Sequence, residues 1–456
     1  MRRISDLKTI GMWFGVSQRV GPAAYAGSGL LLMLLKYGVE ALIFWQFAST
    51  IFTPWDFINP LLASRESLVR PAPEWLAWVL YLWTLPFLWI AVSMSIRRSA
   101  DAGSSPWLGF IVLIPLVNLL FMLAMCCLPS QPGDYWTLFP RPTEERDRPL
   151  NAALSVAVSL ILGGFMVWIS VYLLATYGAS LFLGTPLLMG ACAAYLYNRR
   201  VPRTYLASAC LGGAAAFFGC VAMLLFALEG VVCLAMAAPM VVSVATLGGL
   251  LGKAIADASR RSGADLAAVV FVLPLWAVGE SWLAKAPERV ILTTVEIDAP
   301  PSAVWTNVVA FPDLPQERAW YFNWGIACPE RARIVGQGVG AIRHCEFSTG
   351  AFVEPITVWD EPRRLAFNVT KQAAPMHELS LYRDIHPPHL DGFLRTTRGE
   401  FHLVSLPNAK TRLEGRTWYR SEMFPQWYWS AWSDVLIHRV HDRVLMHVKR
   451  LSEERE

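Results

Sequence analysis

The chain has 456 residues, 55% hydrophobic and 16% charged, with a formal net charge of +4. A mean hydropathy of +0.39 is too apolar for an ordinary soluble protein of this length. So small a net charge, with no clustered basic face, excludes the electrostatic footprint of a nucleic-acid binder. All 8 histidines follow Lys285, and the long apolar runs precede it. Cys126, Cys127, Cys192, Cys210, Cys220 and Cys233 lie in those runs, where a thiol behaves as a small hydrophobe. Cys328 and Cys345 show no CxxC spacing, so neither a zinc site nor a disulfide framework is expected. The basic start (Arg2, Arg3, Lys8) leads into a run long enough to remain as an anchor, so no removable signal peptide is expected.

A helix needs about 20 apolar residues to cross the hydrocarbon core. In chain order the candidates are Ala23–Phe47, Trp75–Ile96, Trp107–Leu128, Ala152–Tyr177, Ala179–Tyr197, Tyr205–Leu228, Val231–Leu251 and Leu266–Leu283. The last is the weakest, being short and carrying Pro274 and Glu280. Trp75, Trp107, Tyr177, Tyr197 and Tyr205 at run ends suit interfacial positions. Arg2, Arg3, Lys8 and Arg19 favour a cytoplasmic N-terminus, yet the same count puts Arg199, Arg200, Arg203, Lys253, Arg260 and Arg261 outside. If Leu266–Leu283 only dips into the interface, the C-terminal domain stays cytoplasmic, and that side is expected.

Between the second and third runs stands Arg97-Arg98-Ser99-Ala100-Asp101-Ala102-Gly103-Ser104-Ser105-Pro106-Trp107. Its residue types suit a tight cytoplasmic turn with arginines at the headgroups. The segment resembles the RRLHDxGxSGW signature of a small bacterial inner-membrane family, domain of unknown function 805. Arg97, Arg98, Asp101, Gly103, Ser105 and Trp107 match, while Ala100 replaces the family's histidine and Pro106 its second glycine. The resemblance covers the first third of the chain and implies a bacterial inner (plasma) membrane location without any chemistry. Lys36 and Glu40 stand four apart on one helical face and are expected to neutralise each other. Glu229 is expected to reach water, and Glu280 is a solitary intramembrane charge.

After Pro287 the pattern changes to period two. Ile291, Thr293, Val295 and Ile297 alternate with Leu292, Thr294 and Glu296, which predicts a strand. A short helix over Ser302–Phe311 and an aromatic one around Trp320–Trp324 follow. Then come hairpins: Arg331–Val335 with Ala341–Phe347, Ala351–Trp359 with Leu365–Val369, and Thr397–Leu406 with Thr411–Arg420. A helix from Gln426 to Glu453 closes the chain, with an apolar stripe of Trp429, Trp432, Leu436, Val440, Val444, Val448 and Leu451. The fold class expected is a multi-span α-helical membrane domain followed by a soluble α+β helix-grip domain. Its divisions are residues 1–130, further transmembrane helices over 131–285, and the ligand-binding domain 286–456.

Val295-Glu296-Ile297-Asp298-Ala299-Pro300-Pro301-Ser302-Ala303-Val304-Trp305 resembles the opening of the START-like superfamily (SRPBCC), which includes polyketide cyclases and lipid-transfer domains. Gly338–Arg343, Glu354, Trp359–Pro362 and Leu365–Phe367 are similar to its middle strands. The resemblance implies a cavity between sheet and long helix for lipids or other hydrophobes, and no shared catalytic residues.

The candidate cavity residues are Arg343, Cys345, Glu354, Tyr419, Trp432, Ser433 and His447. Arg343 with Glu354 reads first as a cross-strand pair and second as a pair orienting a ligand. Asp434, His438 and His441 are assigned to a solvated face, and Asp384, His386, His389 and Asp391 to a loop over Lys371–Gly392 that could gate the cavity mouth. No metal, cofactor or catalytic set is expected. The partners expected are membrane lipids and a hydrophobic small molecule, and the function expected is its membrane-tethered binding or transfer. The alternatives are a cyclase, dehydratase or hydrolase using Arg343, Glu354, Tyr419 or His447 as acid or base, and a structural membrane protein without a ligand.

Overall fold

The structure is a computed structural model that describes residues 11–16, 18–58, 73, 75–113, 117–131, 148–199, 201–259, 267–283, 286–380 and 385–454. It divides into two compact units, Met1–Ala222 with Ala237–Ala284, and Met223–Met236 with Lys285–Glu456.

The longer helices of the first unit are α1 Pro22–Ile43, α2 Trp75–Asp101, α3 Val117–Cys127, α4 Arg148–Val167, α5 Thr185–Asn198, α6 Tyr205–Leu225, α7 Val231–Ser259 and α8 Ala267–Leu283. The first residues of α7 belong to the second unit. Among the described residues, 6 helical stretches are long and apolar enough to cross a membrane: Pro22–Ala48, Trp78–Asp101, Asn151–Leu173, Ser180–Asn198, Tyr205–Leu225 and Val231–Ser259. The protein is a membrane protein. The run Trp107–Leu128 is not one span, because a 3-10 turn over Pro106–Leu113 breaks it and leaves α3 with 11 residues. α8 has 17 residues, the lower limit for crossing.

α5 is the buried centre of this unit. Gly248 and Gly252 of α7 lie against its backbone, so a Cβ at Gly252 would stand 2.1 Å from the Ala191 carbonyl oxygen. Close backbone approach of this kind is how helices pack where no hydrophobic force separates side chains from lipid. Residues on both sides of position 131, Ile96, Trp107 and Phe110 with Met166, Leu188 and Ile255, share one core. Trp107, Tyr177 and Tyr197 are buried rather than interfacial.

Several charges of this unit point inward. Arg97 and Arg98 are 1% and 0% exposed, so they are not headgroup anchors. Arg97 donates to the carbonyls of Met12, Gln18 and Ser93, and Arg98 to those of Met125 and Leu128 and to the Asp101 carboxylate. Asp101 also takes Arg19 and the Ser130 hydroxyl, while Gly103, at φ 73, is packed under Gln131. The Arg-Arg…Asp…Gly segment is thus an internal clamp that satisfies backbone groups left open where helices end. Glu280 plays the same part, accepting the N–H groups of Ala179 at 2.6 Å and Ser180 at 2.9 Å. Lys36 pairs with Glu40. Lys253, inside α7 rather than beyond it, pairs with Asp257 at 2.9 Å.

The second unit has strands β1 Arg289–Ile297, β2 Pro329–Val335, β3 Ile342–Phe347, β4 Gly350–Asp360, β5 Arg364–Asn368, β6 Leu394–Leu406 and β7 Lys410–Ser421, with helices α9 Pro301–Val309 and α10 Gln426–Glu453. The sheet is antiparallel in the order β1-β7-β6-β5-β4-β3-β2. Bulges at Ile356/Val358 and Thr396/Arg398 bend it. It curls around α10, which starts after Pro425, and α9, which starts at Pro301. Ile297, Val304, Trp305, Leu365, Leu413, Val444 and Val448 form the core. This is a helix-grip fold.

Candidate functional site

The pleat of β3 and β4 decides what enters the space under α10. Their register sets Arg343 opposite Glu354 and Cys345 opposite Phe352, while His344 turns to the other face. On β7 the same alternation sends Gly415, Thr417 and Tyr419 toward α10. Between them lies a cavity of about 160 Å³. Its apolar walls come from Phe347, Phe352, Phe367 and Phe401 on the strands and from Leu436, Val440 and Val444 on α10.

Arg343, Cys345 and Glu354 are in the wall. The Arg343 guanidinium bonds Glu354, donates to the Val309 carbonyl at 3.2 Å, and sits 5.5–5.6 Å from the ring centroids of Phe311, Phe367 and Phe401. Burial alone would lower its pKa, but the Glu354 carboxylate outweighs that and keeps it charged. Burial pushes the Glu354 carboxyl above its ordinary value, with Arg343 opposing. Burial and then the Glu354 charge push the Cys345 thiol up to about 12, so it is no nucleophile at neutral pH. The two further charged residues along the wall, Arg416 and Glu400, send their side chains to the outer face of the sheet by the same alternation, where Arg416 pairs with Glu414 and Glu400 with Arg364, each at 2.8 Å. The wall therefore has no net charge to offer.

The other four candidates lie outside the wall. Tyr419 is fully buried, but its hydroxyl donates to Asp434, which also takes Arg289 at 2.8 Å, so it fastens helix to sheet. Ser433 donates to the Trp429 carbonyl of its own helix. Trp432 is 37% exposed at the edge of the gripped face. His447 packs edge-on to Phe311 with Arg450 3.2 Å away, and burial and then Arg450 lower its pKa.

The face of α10 read as solvated is instead covered by the sheet. His438 meets the Thr293 hydroxyl at 2.8 Å, and His441 lies between the hydroxyls of Thr293 at 3.0 Å and Thr417 at 2.7 Å. Burial and then His438 lower the His441 pKa to about 4, which keeps the imidazole neutral at the cavity wall. A 28-residue helix in a curled sheet is covered over a wide arc, more than one stripe of the wheel suggests. His386 and Asp391 pair at 2.9 Å in the loop, while Leu381, Tyr382 and Asp384 lie outside the described residues.

Residues 13–135 match the family described as Protein of unknown function (DUF805). That stretch contains the Arg97–Trp107 clamp. No curated protein matches the chain. Among solved structures, a protein of Nitrosospira multiformis is 18% identical, covering 36% of this chain and 94% of its own, at a TM-score of 0.24. Norcoclaurine synthase from Thalictrum flavum, in complex with dopamine and hydroxybenzaldehyde, is 15% identical, covering 38% of this chain and 90% of its own, at 0.26. A Mesorhizobium loti protein is 12% identical, covering 37% and 99%, at 0.24. None of these likenesses assigns a ligand or an activity to this chain.

Proposed function

We propose that the second unit binds a small, uncharged hydrophobic molecule in its cavity, in a protein held in the membrane by its first unit. The observation that carries this is an apolar cavity whose inward charges, Arg343 and Glu354, are already paired with each other. An anionic or cationic guest would have to break that pair, whereas a neutral one leaves it intact. A cavity of about 150 Å³ lined by aliphatic and aromatic side chains takes up benzene, so about 160 Å³ suits one ring or a short chain. Two acyl chains would require α10 to move away from the sheet. A guest leaving the bilayer exchanges one apolar surrounding for another, so selection rests on shape and on Thr417 and His441 rather than on hydrophobic gain.

The Arg97–Trp107 resemblance supports a bacterial inner membrane. We further infer that the second unit lies on the non-cytoplasmic side, opposite to the sequence expectation. The turn between α6 and α7 belongs to that unit, so turn and unit share a side. The chain returns to that side after α7 only if α8 crosses, making seven crossings. That count puts Arg2, Arg3 and Lys8, then Arg199, Arg200 and Arg203, then Arg260 and Arg261 together on the other side. It removes the conflict with the positive-inside rule.

Two experiments test the reading. In non-ionic detergent, neutral indole should raise the melting temperature of the full chain and indole-3-acetate should not. A larger shift with the anion would reject an uncharged ligand. Exposed Glu422, replaced as Glu422→Cys, should react with a membrane-impermeant maleimide in spheroplasts. Labelling only after lysis would place the unit inside.

A further inference from the structure

The second unit holds a group of donors that the cavity does not use. Its segment Met223–Met236 brings Glu229 and Cys233 to the loop that carries Glu378 and His389. His389 is 6% exposed and Glu229 likewise, so Glu229 does not reach water. The Cys233 Sγ lies 2.9 Å from His389 Nε2, and Glu378 Oε1 is 3.8 Å from the same nitrogen. The opposite ring nitrogen, Nδ1, is 3.3 Å from Glu229 Oε2. Sγ of Cys233, a ring nitrogen of His389 and a carboxylate oxygen of Glu229 all lie within 4.8 Å of one another. Ligands of a tetrahedral zinc ion stand about 2.0–2.3 Å from the metal and so about 3.3–3.8 Å apart, against 2.9 Å from Cys233 Sγ to His389 Nε2 and 3.8 Å from Glu378 Oε1 to the same nitrogen.

A second observation points to an occupant. The Glu378 side chain is 0% exposed, and its carboxylate is turned onto Cys233 and, at 3.8 Å, onto the His389 ring rather than to water. A carboxylate, a thiol and an imidazole buried against one another form a donor set whose burial a shared cation would compensate.

We propose that Cys233, His389 and Glu378 bind a divalent transition-metal ion of the zinc class, with Glu229 holding the ring from behind through Nδ1–H. A thiolate, an imidazole and a carboxylate select zinc or cobalt over calcium and magnesium, which take all-oxygen shells. The Glu229–His389–metal order is the arrangement that fixes the tautomer of a ligating histidine. The ion would tie the α6–α7 turn to the Lys371–Gly392 loop within the second unit. Binding displaces the thiol proton and involves no redox change.

The test uses the full chain in detergent, stripped with chelator and reloaded with zinc or cobalt chloride. About one zinc per chain should survive desalting, and cobalt should produce a thiolate-to-metal charge-transfer band. Cys233→Ser and His389→Ala should each lose the retained zinc and the band. Glu229→Gln should keep the band while weakening affinity about 10–100-fold. Circular dichroism of the stripped variants identifies any that fail to fold, and the isosteric Cys233→Ser keeps the test open if His389→Ala does. Zinc retention unchanged in folded Cys233→Ser, or a wild-type cobalt spectrum without the band, would overturn the proposal.

Discussion

The two units bury charge for different ends. In the first, Arg97, Arg98 and Glu280 direct their hydrogen bonds chiefly to backbone groups, most of them near helix ends. In the second, Arg343 and Glu354 spend theirs largely on each other, beside space large enough for a guest. Within lipid no water is at hand to satisfy broken backbone, so side chains must do it. In the helix-grip unit the strand ladder satisfies most of the backbone, which frees Arg343 and Glu354 to furnish a wall. A buried charge is a repair in one unit and a lining in the other.

That contrast is open to attack, most strongly at the buried pairs. Arg343→Met should cost about 3–5 kcal/mol in denaturant melts, because Glu354 is left buried and alone, and adding Glu354→Leu should restore most of it. Arg98→Met should cost a similar amount, but adding Asp101→Leu should not rescue it, since the Met125 and Leu128 carbonyls remain unserved. Rescue in both units would erase the distinction.

Next in size is His441. Its folded pKa, about 4, lies below its ordinary 6.5, so the unfolded chain takes up the proton first. Stability is therefore fully present above about pH 6.5 and falls as pH drops toward 4, by up to about 3 kcal/mol at 1.36 kcal/mol per unit. His441→Gln should flatten this acid limb of the melting profile, and an unchanged limb would remove His441 from the account.

A smaller loss follows from packing. Gly252→Ala in α7 should destabilise the first unit by about 1–3 kcal/mol, read as a lower melting temperature in detergent, because its Cβ would strike the Ala191 carbonyl. Smallest is Cys345→Val. With the thiol held protonated, the change should alter stability by less than about 1.5 kcal/mol and leave indole binding intact. Loss of a turnover in that variant would revive the enzyme reading.

Much of the second unit was legible beforehand. Glycine, proline and asparagine links marked the hairpins, and counting residues across the Phe347–Gly350 turn already sets Arg343 opposite Glu354. The inward direction of β7 was not legible, since Thr417 and Tyr419 on one face and Arg416 and Trp418 on the other are equally mixed. Trp432 and His447 fit the stripe of α10 but miss the cavity, because a helical wheel gives direction and not which neighbour fills it. In the first unit, hydropathy located the apolar runs, yet it could not show that the 3-10 turn breaks Trp107–Leu128 or that both arginines fold inward. The meeting of Glu229 and Cys233 with His389 spans more than 150 residues and has no local signature.

Native mass spectrometry of the full chain, released from detergent without added ligand, tests the central claim most directly when run beside Val440→Trp, which fills the cavity from α10. A single small uncharged adduct is expected on the wild-type chain and none on the variant. A phospholipid adduct, or the same adduct on both chains, would contradict it.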